Sequence, residues 1–250
     1  MLKSFHILGN SAGVPTIERN VSATVLSSES IDILLDCGEG TYLLWKRAGY
    51  HWRRLKVIFI SHLHPDHVCG LIPLLFYADM AQIIHDLTVI GPPELPEYVK
   101  QSCQYLGWSP RQKIQWHSPP LEEPFSLPGK ITVKSAILDH KLICYGYRFE
   151  DDRENSLTYV TDTRPCNGSR ILAKDVKVLI HEATFPAGLE EMAQTKFHTT
   201  VNQAIELAQS ANVQRLVLTH FSPRMDTSVL STQLFNNKPV LSTELELIPW

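Results

Sequence analysis

Short strands alternating with helices predict an α/β fold for this chain. Three observations carry the prediction. Val57-Ile58-Phe59-Ile60 is a short β-branched and aromatic run of the kind that forms a buried strand. Val201, Ala204, Ile205 and Ala208 fall on the i, i+3, i+4, i+7 spacing of a helix. Several apolar runs end in a histidine or a carboxylate, as strands leading to one edge of a sheet would. The 250 residues are 44% hydrophobic and 20% charged, ample for a core. No linker, repeat or low-complexity stretch divides them, so a single domain over 1–250 is expected.

Leu2 to Leu8 reads as a strand ending at Gly9-Asn10-Ser11-Ala12-Gly13. Glycines spaced GxxxG and followed by Val14-Pro15 do not make a dinucleotide loop. Val21 to Leu26 and Ile31 to Leu35 read as a hairpin pair, broken by Asp36-Cys37-Gly38-Glu39-Gly40, and Tyr42 to Ala48 as a helix. His51-Trp52-Arg53-Arg54-Leu55-Lys56 is basic and reads as a solvated lead-in to the Val57–Ile60 strand.

Ser61 to His67 then reads SHLHPDH. His62 and His64 are two apart, so in extended chain both point the same way and can reach one ion. Pro65 turns the chain, and Asp66 and His67 leave the turn aimed at a second ion beside the first. Imidazole and carboxylate at this density suit Zn²⁺, with Mn²⁺ or Fe²⁺ as borderline occupants. Cys69 reads as a small buried residue.

Beyond the motif, Leu71 to Ile84 reads as a helix, Leu87 to Ile90 as a strand, Tyr98 to Leu106 as a helix and Lys113 to Trp116 as a strand. Three later strands end in metal-binding groups: Ile131 to Leu138 before Asp139-His140, Leu157 to Thr161 before Asp162, and Arg215 to Thr219 before His220. Val178 to Ile180 leads into His181-Glu182-Ala183-Thr184. Thr199 or Thr200 is placed to cap the following helix, with His198 just before it and outside its apolar stripe. Ser228 to Phe235 reads as a last helix and Glu244 to Ile248 as a last strand.

A net charge of −3 gives no bulk affinity for nucleic acid. No apolar run reaches membrane-span length, and the N-terminus lacks the core of a signal peptide. Five scattered cysteines without a CxxC fit reduced thiols, so a cytoplasmic location is expected.

Assembled, these motifs resemble the metallo-β-lactamase superfamily, and within it the tRNase Z branch. Pro15-Thr16 with Arg19-Asn20 resembles that branch's PTxxRN loop, and Leu35 to Glu39 its first acidic motif. HLHPDH, Tyr145 to Arg148, Thr161 to Arg164, His181 to Thr184, His198 to Thr200 and Thr219 to Ser222 follow in family order. The resemblance implies an αββα sandwich with a dinuclear zinc site at one edge. His62, His64 and His140 would hold one ion, Asp66, His67 and His220 the other, with Asp162 bridging and Asp36 orienting a ligand histidine. A hydroxide shared by the ions would attack a phosphodiester, with Asp66 placing it and His198, held by Glu182, protonating the leaving oxygen. Arg19, Asn20, Arg164 and Arg224 would meet substrate phosphates. The implied activity is endonucleolytic processing of tRNA 3′ ends by a homodimer.

Two departures bear on the substrate. Only residues 149–160 separate Arg148 from Thr161, where the branch carries a long tRNA-gripping arm; here a hairpin turn around Asp151 to Asn155 fits, and it is acidic. Ile17 stands where the PTxxRN loop often has a basic residue. Pre-tRNA, another RNA or a small phosphodiester such as a cyclic nucleotide therefore all fit the chemistry. A catalytically silent scaffold subunit is the remaining alternative, disfavoured because all seven ligand positions are filled.

Overall fold

A strand buried on both faces needs cover on both sides, and the run ahead of the histidines has it. In β4 (Leu55–Phe59) and the residue after it, Val57 and Phe59 enter one core while Ile58 and Ile60 enter another, following the alternation of extended chain. The computed structural model describes the chain except residues 84–85, 122, 227–239, 242–245 and 250, so the expected helix over Ser228 to Phe235 lies outside the described residues.

The first sheet contains β1 (Leu2–Gly9), β2 (Ala23–Ser28), β3 (Asp32–Leu35), β4, β5 (Asp86–Ile90) and β6 (Lys113–His117), with β14 (Glu246–Pro249) on the far side of β1. The second runs β13 (Val240–Leu241), β12 (Arg215–Thr219), β11 (Val178–Glu182), β10 (Ser156–Val160), β9 (Cys144–Asp151), β8 (Ile131–Leu138), β7 (Phe125–Leu127). Phe5, Ile33, Val57 and Phe59 meet Tyr147, Phe149, Tyr159 and Ile180 between the sheets. On the outside of the first sheet lie α1 (Thr41–Arg47), α3 (Leu71–Met80) and α4 (Leu95–Tyr105). Against the second pack α5 (Asn167–Ala173) and α7 (Val201–Ser210). The layers are therefore helix, sheet, sheet, helix: the metallo-β-lactamase αββα sandwich.

Strand direction gathers the site. β3, β4, β5 and β6 are parallel, and β10, β11 and β12 are parallel. β8 is antiparallel to β9 and β9 to β10, so β8 runs with β10. By the same two steps β1 runs with β3. The loops after β1, β3, β4, β8, β10, β11 and β12 thus emerge at a shared edge of their sheets, where open α/β proteins bind ligands.

Several elements differ from expectation. The helix expected over Leu71 to Ile84 stops at Met80, because the chain turns through Gln82 at φ 56°. That expected from Tyr98 starts at Leu95, since Pro96 is tolerated in a first turn. The sequence pattern did not reveal β9, in which Gly146 and charged positions mask the strand period, nor α5 or α6 (Glu190–Lys196), seven residues each with little apolar stripe. β9 and β10 form a tight hairpin through Asp151 and Asn155, leaving no room for an arm. Thr200, rather than Thr199, caps α7, in a reciprocal box with Gln203. Cys69 is exposed, not buried: it ends α2 (Pro65–Val68), and Gly70 makes the close approach to the core in its place.

Candidate metal centre

Beyond β4 the chain is extended to His64, and Pro65 then opens the one-turn helix α2. His62 Nε2 and His64 Nδ1 come within 2.9 Å of each other, and His140 Nε2, from the loop after β8, lies 3.1 Å from His64 Nδ1. Asp162, just after β10, brings Oδ2 to 3.7 Å from His62 Nε2 and 3.8 Å from His140 Nε2. α2 carries Asp66 and His67 to the neighbouring space. There His67 Nε2 lies 3.3 Å from His220 Nε2, and Asp66 Oδ2 lies 3.4 and 3.2 Å from those nitrogens. Asp162 Oδ1 is 3.2 Å from both. One carboxylate therefore turns an oxygen to each group, which is what a bridging ligand must do.

The donor set suits cations. Burial, followed by the neighbouring histidines, holds the pKa of His62, His64 and His140 below the ordinary histidine value. Neutral imidazoles with ring nitrogens this close leave lone pairs facing one another, an arrangement that a shared cation relieves. Against burial, Asp162, Asp66 and Asp36 hold the His67 pKa well above its ordinary value. Asp162 is held low against its own burial by His220, His67 and His62.

Every candidate ligand except His64 is itself held from behind. Asp36 Oδ2 accepts from His67 Nδ1 at 2.8 Å, Ser61 Oγ at 2.9 Å and Tyr159 OH at 2.8 Å, while its Oδ1 takes Ser61 N at 2.7 Å. Ser61 Oγ also lies 3.0 Å from His62 Nδ1. His140 Nδ1 donates to the Phe197 carbonyl, and Thr184 Oγ1 lies 2.9 Å from His220 Nδ1. Thr161 Oγ1 donates to Asp162 Oδ1, and Gly13 N donates to Asp66 Oδ2. These contacts fix ring orientation and leave the inner nitrogens for a metal. Asp36 and His220 both sit at positive φ, 58° and 56°, so the site carries some backbone strain of its own. The sequence alone assigns no role to Ser61, Tyr159, Thr161, Thr184, Phe197 or Gly13, although Ser61, Thr161 and Thr184 lie in the motifs; their contacts in the fold reveal it.

Glu182 ends β11 with no exposure, and its Oε1 accepts His198 Nδ1 at 2.9 Å and Thr163 N at 2.8 Å. Its Oε2 accepts from Thr184 N and Thr184 Oγ1. Burial lowers the His198 pKa, but the Glu182 carboxylate beside it prevails and raises it to about 9. A nitrogen of His198 also lies within 4.8 Å of ligand atoms of Asp162 and His220.

The four residues expected at phosphates separate. Arg19 donates through Nη2 to the Ser222 carbonyl, and its Nη1 is buried with no hydrogen-bond partner in the protein. Asn20 adjoins it, its carbonyl accepting from Ser11 N, and Arg224 is exposed in the turn after His220. Arg164 is engaged elsewhere, in a two-point pair with Asp139.

Residues 32–221 match the family described as the beta-lactamase superfamily domain. The chain belongs to that superfamily. Ribonuclease BN of Escherichia coli (strain K12) is 34% identical over 278 residues, covering 88% of this chain and 89% of the relative. Among solved structures, the short form of human tRNase Z superposes with a TM-score of 0.84 at 24% identity, over 98% of both chains. The metallo-beta-lactamase fold protein YhfI of Bacillus subtilis superposes at 0.85 and 21% identity over the full length of both. Within the superfamily the chain lies in the tRNase Z-like branch. Its alignment to ribonuclease BN is longer than the chain itself, so that relative carries segments with no counterpart here.

Proposed function

We propose that this metallo-β-lactamase chain is a zinc-dependent phosphodiester hydrolase that cleaves RNA, with 3′-extended tRNA as substrate. The single observation behind it is the pair of three-residue ligand groups joined by the two oxygens of Asp162, next to the buried Glu182–His198 pair.

His62, His64 and His140 would hold one ion and Asp66, His67 and His220 the other. Two divalent ions there would supply a water acidified to a pKa of roughly 7 and neutralise phosphoryl charge. The chain's residues do the rest. Asp66, fixed by Gly13 N, orients the attacking water and takes its proton. Glu182 holds His198 by Nδ1, leaving Nε2 to protonate the departing 3′ oxygen. Arg19, with an unmatched buried nitrogen, suits a substrate phosphate.

A small phosphodiester is the second reading, favoured by the tight acidic β9–β10 turn where the branch's arm would stand. A homodimer through α1 and α3 belongs to the same proposal, supported by the exposed Leu43, Phe76, Tyr77 and Met80 on those helices. A cytoplasmic location is part of it too, supported by five scattered cysteines without a CxxC, which fit reduced thiols.

The test is cleavage of a 3′-extended pre-tRNA beside hydrolysis of a nitrophenyl phosphodiester. The expected result is a cut after the discriminator base, abolished in His64→Ala. Loss of zinc without loss of cutting in that variant would refute the metal mechanism, and hydrolysis of the nitrophenyl diester alone would favour the second reading.

A further inference from the structure

We propose that Arg164 is a positioning residue that sets His140 and His198 together by pinning Phe197 against Asp139. The proposal rests on the hydrolase reading above and replaces the expectation that Arg164 meets phosphate.

Arg164 Nε donates to Asp139 Oδ2 at 3.0 Å and Nη2 to Asp139 Oδ1 at 2.8 Å. Its backbone N also donates to the Asp139 carbonyl, so the two loops are joined by main chain and side chain. The same guanidinium lies over the Phe197 ring, its Cζ 4.2 Å from the centroid. Planar delocalised charge and a two-pronged fork are properties of arginine that lysine lacks. Each residue it grips adjoins a site group. Asp139 precedes the ligand His140, Arg164 itself stands two residues past the bridging Asp162, and Phe197 precedes His198.

Phe197 matters through its backbone. It ends α6 at φ 62°, a conformation bulky residues avoid, and this aims its carbonyl at His140 Nδ1, 3.0 Å away. That contact commits the other ring nitrogen of His140 to the cluster. A half-exposed ion pair is a weak source of stability, so its place here is explained by orientation. One guanidinium thus holds three separately arriving loops in register.

The test compares wild type with Arg164→Met, Arg164→Lys and Asp139→Asn, each checked for native circular dichroism. Zinc affinity is read by chelator competition and ligand geometry by the visible spectrum of the cobalt-loaded protein. kcat and KM are measured on a nitrophenyl phosphodiester. Expected in all three variants are a roughly tenfold or greater loss of affinity at the weaker-held ion and a shifted cobalt spectrum. On the diester kcat should fall at least tenfold with KM within about twofold, and lysine should not rescue. A raised KM with unchanged kcat, metal affinity and spectrum would make Arg164 a phosphate contact and overturn the proposal. So would unchanged metal binding in a folded Asp139→Asn. Both metal readouts stand even if the wild type hydrolyses no diester, an outcome that would count against the proposed function alone.

Discussion

Replacing Glu182 by Gln removes one charge from a fully buried site at almost constant volume. His198 is the neighbour that feels it: raising its pKa from 6.5 to about 9 corresponds to roughly 3 kcal/mol in favour of the imidazolium. The raised value means this stabilisation is complete below 6.5 and lost as pH climbs through about 9. With a neutral amide, burial acts on the imidazole with its main counterweight gone, and the alkaline limb of kcat should move down by about two pH units. There is a second cost. Each Glu182 oxygen accepts from two donors, so whichever way the amide turns, its NH₂ faces donors. A mispaired buried group of this kind costs about 1–3 kcal/mol, visible as a lower Tm. The assay is single-turnover cleavage of RNA across pH beside hydrolysis of a nitrophenyl phosphodiester. A two-unit drop from about 9 leaves His198 about one-tenth protonated near pH 8, so RNA cleavage there should fall about tenfold, nearing 100-fold only above pH 9, because its alkoxide needs a proton to leave. The nitrophenyl ester, whose phenolate departs unassisted, should lose far less. An alkaline limb left at the wild-type position, or equal losses on both substrates, would refute the assignment of His198 as proton donor.

Asp36→Asn should weaken zinc binding about 10- to 100-fold, measured by chelator competition, because an amide cannot accept from Ser61, Tyr159 and His67 together. Stripping zinc from wild type should lower Tm, and adding it back should restore the value, since ligand binding to the folded state alone stabilises it. Gly70→Ala would drive its Cβ into the carbonyl oxygen of Gly38, costing about 1–3 kcal/mol in denaturant unfolding. Gly49→Ala, with open space around it but φ 77°, should cost less because only backbone strain is added.

By itself the sequence carried the α/β alternation, the strand before the metal motif, the candidate ligands and the absence of an arm between Arg148 and Thr161. Those are matters of period, residue type and spacing, which survive without coordinates. It could not show β9, whose strand period Gly146 and charged neighbours obscure, or the exposure of Cys69, which depends on where a one-turn helix ends. Nor could it separate Arg19 from Arg164. Both are arginines beside site motifs, yet one keeps a buried unmatched nitrogen and the other is spent on Asp139 and Phe197. Tertiary structure alone decided that Asp162 presents one oxygen to each candidate ligand group and that Thr184 and a backbone carbonyl orient His220 and His140. The reason is physical: residue chemistry is inherited from the chain, whereas the direction of a lone pair is set by contacts between strands and loops far apart in sequence.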